Sequence, residues 1–113
     1  MSKDNRSILS GYIYQRHLEN AIADIITLAD KVECFKIGKT GMAIEDRFAE
    51  PDYNGVYDDI DEVYSSTDPE KVSQMEADLI EEFKDYFNCD NKRTTDKDEM
   101  ADSDEYHVYV VWK

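Results

Sequence analysis

"SGYIYQRHLENAIADIITLADKVE", residues 10–33, decides how this chain folds. Gly11 is followed by Tyr12, Ile13 and Tyr14, an aromatic and β-branched run that reads as a short strand over 10–16. From Leu18 onward the rhythm changes. Apolar residues at 18, 21, 22, 25, 26 and 28 share one side of a helix over 18–33. Outward from there, "VECFKIGKT" (32–40) predicts a second strand ending at Gly38, and "GMAIEDRFAE" (41–50) a short helix stopped before Pro51. "DIDEVYSST" (59–67) supplies a third strand, and the β-branched and aromatic "YHVYVVW" (106–112) a terminal one. The expected fold class is α+β, a small central, mostly antiparallel sheet flanked by helices in a single domain over 1–113.

The chain has 113 residues, of which 41% are hydrophobic and 12% aromatic, enough for a packed core without staples. Cys34 and Cys89 lack CxxC spacing, so two free thiols in a cytoplasmic setting are expected. No apolar run is long enough to span a bilayer, and the N-terminus has no signal-peptide pattern. The net charge of −14 opposes general adhesion to nucleic acid or anionic membrane. Residues 50–62 hold six acids and no base, and residues 96–105 six acids against Lys97 alone. Both runs read as solvated loops, since the spacing of a calcium loop is missing.

The best-defined element expected is a helix over "TDPEKVSQMEADLIEEFKDYF", residues 67–87, opening on Thr67 as candidate N-cap, Glu70 three residues on and Pro69 in the first turn. Val72, Leu79, Ile80, Phe83 and Phe87 fall within about 60° of Glu76 around its axis. A carboxylate in the middle of an apolar stripe costs several kcal/mol, about 3 or more, unless something offsets its charge. Glu76 therefore asks for a metal ion or a cation partner, with a structural salt bridge at the core edge as the plain alternative. Lys36 and Lys39 flank the Gly38 turn, and Arg47 sits on the following short helix, leaning inward or lying at the surface. His17 and His107 read as surface or sheet residues.

In order and spacing these residues resemble the GIY-YIG endonuclease family over roughly residues 10–90. Gly11-Tyr12-Ile13-Tyr14 resembles the first motif, with one extra residue between Gly and Ile. Lys36-Ile37-Gly38 resembles the second, with lysine where the family usually has tyrosine, a variant common in phage and mobile-element proteins. Lys39 is similar to the lysine after the glycine, Arg47 to the helix arginine, Glu76 in "ExxLI" to the metal-binding glutamate, and Asn88 to the late asparagine.

The resemblance implies hydrolysis of DNA phosphodiesters with one Mg²⁺ or Mn²⁺ ion held by Glu76. Tyr14, or Tyr12 on the same strand face, would be the general base. Lowering a phenol from about 10 toward neutrality takes roughly 4 kcal/mol of phenolate stabilisation. Lys36 and Lys39 would supply it, Arg47 would neutralise the phosphoryl oxygens, and Asn88 would hold a site residue or loop. With Lys92 and Arg93 the cations near the site remain few, so the expected partner is DNA bound with weak intrinsic affinity, with a protein partner for targeting and no membrane. A protein-binding module of the same fold, weakened in catalysis, and an acidic DNA mimic are the rival readings.

Overall fold

The computed structural model describes residues 2–91 and 100–113, with side chains from Gly11 onward. Lys92, Arg93 and residues 96–99 of the second acidic run lie outside the described residues. The elements are α1 (Ser2–Ala29), β1 (Phe35–Thr40), α2 (Ile44–Phe48), β2 (Asp59–Ser66), α3 (Pro69–Phe83) and β3 (Tyr106–Trp112). They form an α+β unit whose three-stranded sheet has the order β1-β3-β2, antiparallel throughout.

The first strand expected over 10–16 does not exist; those residues lie inside α1. The helical stripe that begins at Leu18 runs back one further turn, because Tyr14, Leu18, Ala21, Ile25 and Ala29 all pack on the core. Tyr12 and Ile13 point outward, 72% and 51% exposed. Their β propensity is overridden by the apolar face that Tyr14 shares with the rest of the helix. No helix among the described residues is long and apolar enough to cross a membrane.

The remaining elements fall close to expectation. β1 continues through Gly38 to Thr40. α3 is capped by Asp68 rather than Thr67: its side chain accepts from the Glu70 amide at 2.9 Å, with Pro69 in the first turn. The helix stops at Phe83, which leaves Phe87, expected on the apolar stripe, 96% exposed.

The sheet has two differently covered faces. Phe35, Ile37, Val108 and Val110 meet α1 and α3 in the main core. On the other face Tyr109 and Val111 pack with Tyr53, Ile44, Phe48, Tyr57 and Ile60. The first half of the acidic stretch 50–62 is thus not a free loop. Tyr53, 3% exposed, pins it to the sheet, and Asp59–Glu62 enter β2. The outer edge of β1 is covered by 88–91: the Asn91 side chain accepts from the Ile37 amide at 2.6 Å and donates to the Ile37 carbonyl at 2.9 Å.

Candidate active site

Alternation along β1 separates the two lysines, because residues three apart on a strand face opposite ways. Lys39 faces the helices. Its Nζ donates to Ser73 Oγ at 3.1 Å and stands 3.7 Å from Glu76 Oε1. Glu76 points inward as the helical wheel requires and is 4% exposed, so the cation it asked for is a lysine of β1. Lys36 faces the other way, its ammonium 5.8 Å from the centre of the Tyr53 ring.

Arg47 lies on that same face. Its guanidinium carbon is 4.0 Å from the centre of the Tyr53 ring, a close cation–π stack. Beneath it the Tyr53 and Tyr109 hydroxyls are 2.7 Å apart, both rings buried. Gly38 pairs with Tyr109 across the sheet and gives the phenol its room: a Cβ there would meet Tyr109 Oη at 2.3 Å. Burial raises the Tyr53 pKa, while the Tyr109 hydroxyl and the Arg47 charge oppose that rise. The Glu76 carboxylate, reaching from the helical side, adds to it. Tyr109 is raised further, by burial and then by Tyr53 itself. On balance both phenols are held in the neutral form, and at each of them the Arg47 charge opposes the rise.

Tyr14 is elsewhere. Its hydroxyl donates to Asp78 Oδ2 at 2.6 Å and its ring packs edge-on against Tyr64. Residues two apart on a helix are about 200° apart around its axis, so Asp78 holds Tyr14 on a different side of α3 from Glu76. Burial and the Asp78 carboxylate both push the Tyr14 phenol up, the reverse of what a base needs. Tyr12 is exposed on α1. Asn88 is a structural tie: its amide donates to the carbonyls of Ala29 at 2.9 Å and Val32 at 3.2 Å, closing the end of α1. It sits by Phe35, about 13 Å along β1 from Lys39.

No family model, curated protein or solved structure matches this chain. The arrangement brings Lys36 and Arg47 to a buried phenol pair on one face of the sheet, while Lys39 and Glu76 pair on the opposite, helical face. Tyr14 and Asn88 are not part of it. The sequence singles out neither Tyr53 nor Tyr109, because the register that sets Tyr109 opposite Gly38 spans distant parts of the chain.

Among the described residues no group of three His, Cys, Asp or Glu is placed to hold a metal. Glu76 offers one carboxylate, 4% exposed and 3.7 Å from the Lys39 ammonium, so a divalent ion held there would take its remaining ligands from water and substrate phosphate oxygens.

Four phenols, Tyr14, Tyr53, Tyr57 and Tyr109, are held above their ordinary range, each chiefly by burial. Their folded pKa values stand above that of a free phenol, about 10, so the stability they confer is intact below that pH and lost as pH rises past it. In an alkaline titration their phenolate absorbance should appear together with loss of helical circular dichroism. Ionisation of all eight tyrosines with the fold intact would show these hydroxyls to be open to solvent.

Proposed function

We propose that the chain is a metal-dependent DNA endonuclease of the GIY-YIG type, with the Tyr53–Tyr109 pair in place of Tyr14 as its base. What supports the reading is Arg47 stacked 4.0 Å from the centre of the Tyr53 ring, whose hydroxyl is 2.7 Å from that of Tyr109. An arginine to neutralise phosphoryl oxygens, a phenol to take a proton from water and a carboxylate for a divalent ion are the parts phosphodiester hydrolysis needs. The order Lys36-Ile37-Gly38, Arg47, Glu76 supports it, because those residues resemble the family's second motif and its charged site residues.

Glu76 would hold the Mg²⁺ or Mn²⁺ ion, which supplies charge stabilisation at the leaving oxygen. Arg47 binds and orients the phosphate. Tyr53, ionised to its phenolate for this step, would accept the proton of the attacking water at Oη and become the neutral phenol; until then the Tyr109 hydroxyl donates to the phenolate oxygen. Lys36, over the same ring, and Arg47 stabilise that phenolate electrostatically. Lys39, 3.7 Å from Glu76 Oε1, offsets the charge of that buried carboxylate.

Supercoiled, linear and branched DNA incubated with Mg²⁺, Mn²⁺ or chelator tests the reading. Cleavage should need the metal, and Tyr53→Phe should lower it by about 10²–10⁴-fold, the usual worth of a general base. The rate should rise toward alkaline pH in the wild type and lose that rise in Tyr53→Phe. Absence of cutting on all three DNAs with both metals overturns the proposal. Stoichiometric inhibition of another DNA-binding protein would then favour the acidic mimic.

A further inference from the structure

Arg47 does not present its guanidinium to solution. Nη1 and Nη2 each donate to one oxygen of Asp52, both at 2.8 Å, and Nη1 also donates to Glu50 Oε1 at 3.1 Å. The face of the group is taken by Tyr53 and its outer edge by these two carboxylates. Two parallel N–H···O bonds to a carboxylate are the geometry with which arginine also grips a phosphate. Asp52 thus occupies the place a phosphate would take. Its side chain is 57% exposed and that of Glu50 44%, so either can swing away without unpacking the core. The amides of Tyr53 and Asn54 donate to the Glu50 carbonyl at 3.0 and 2.9 Å, and this turn keeps both acids beside Arg47.

We propose that Asp52, assisted by Glu50, is an intramolecular phosphate surrogate that closes the Arg47 site until a phosphodiester backbone displaces it. The inference rests on the nuclease reading for the identity of the ligand, and on the Arg47–Asp52 geometry for the closure. A tethered carboxylate competes at high effective concentration. A lone phosphate ion has only Arg47 and Lys36 to gain and stays outside. A backbone that presents several phosphates can hold on elsewhere while one of them replaces Asp52. The closure makes the site selective for polymer over free phosphate and lowers affinity for duplex at rest.

The test uses the full chain with Asp52→Asn, which keeps the size but removes the competing charge and one of the two acceptor oxygens. Inorganic phosphate is titrated while the Arg47 side-chain NH resonances are followed by ¹⁵N NMR, and a short duplex is titrated by fluorescence polarisation at fixed salt. Melting and metal-dependent cleavage are measured in parallel. The Arg47 resonances should be unmoved by phosphate in the wild type and respond in Asp52→Asn. Duplex binding should tighten at least about tenfold, with a salt slope steeper by about one contact. Asp52→Glu should restore exclusion. Unchanged or weaker binding of both ligands in Asp52→Asn, with a lowered melting temperature, would make Asp52 a prop for Arg47 and overturn the closure. Tighter binding without cleavage under either metal would uphold the closure while refuting the nuclease reading.

Discussion

Replacing Gly38 by alanine should destabilise the fold by about 3 kcal/mol, at the upper end of what an overpacked core usually costs. For a chain of this size that is roughly 10–20 °C in melting temperature. The reason is space and not backbone freedom: Gly55, with φ +83°, is the one glycine with positive φ among the described residues. An added Cβ would stand 2.3 Å from Tyr109 Oη, 2.4 Å from Cζ and 2.8 Å from Cε1. The obstacle is a ring, 1% exposed, with its hydroxyl bonded to Tyr53, so it cannot fold aside as a flexible chain would. Thermal unfolding followed by circular dichroism gives the number. Combining Gly38→Ala with Tyr109→Leu should recover part of the loss, since the ring atoms that clash are gone, and the non-additivity of the two changes measures the contact. A single Gly38→Ala variant melting within a few degrees of wild type would mean that Gly38 and Tyr109 are not opposite one another.

Lys39→Met should be of similar size, about 3 kcal/mol, because it takes the cation from beside a buried carboxylate. Side-chain exposures of 10% for Lys39 and 5% for Glu76 make this an interior pair, where water replaces a lost partner poorly. Removing both charges in Lys39→Met/Glu76→Met should be much milder than removing Lys39 alone, since apolar replacements of a buried ion pair are often tolerated. Chemical denaturation of the four proteins of the cycle measures this. The functional consequence runs the other way. The double variant, although folded, should cut no DNA, whereas Lys39→Met should retain cleavage at reduced rate. A cleaving double variant would remove Glu76 from the chemistry.

What could be read in the sequence was local. The stripe through Val72, Leu79, Ile80 and Phe83 fixed the inward direction of Glu76, because helical spacing needs no knowledge of the rest of the chain. "YHVYVVW" was legible as a strand from its side chains alone. "GYIY" was not, since four residues match either period and the apolar positions that decide the matter lie four, seven and eleven residues beyond Tyr14. The opposed directions of Lys36 and Lys39 were implicit in strand alternation once 35–40 was read as β. The cover on Arg47 was not legible, because Glu50 and Asp52 reach it through a turn whose shape Tyr53 sets by burying itself against Tyr109, 56 residues away. Long-range register carries that information.

The sheet order has a consequence for how the chain comes into being. β3 lies between β1 and β2, yet it follows both in the chain. During synthesis neither earlier strand can find its neighbour until residues 106–112 have left the ribosome, so the nascent chain must hold two unsatisfied strands and the apolar stripe of α3 in waiting. Long-separation contacts of this kind form late and slow folding. Any stop codon or proteolytic cut ahead of Tyr106 removes the central strand, and leaves Phe35, Ile37 and Ile60 without the β3 side chains they pack beside. The same arrangement makes the protein divisible. A fragment ending at residue 104 and a peptide carrying 105–113 share one sheet between them, so mixing the two should restore structure that neither shows alone, as circular dichroism of the mixture would report.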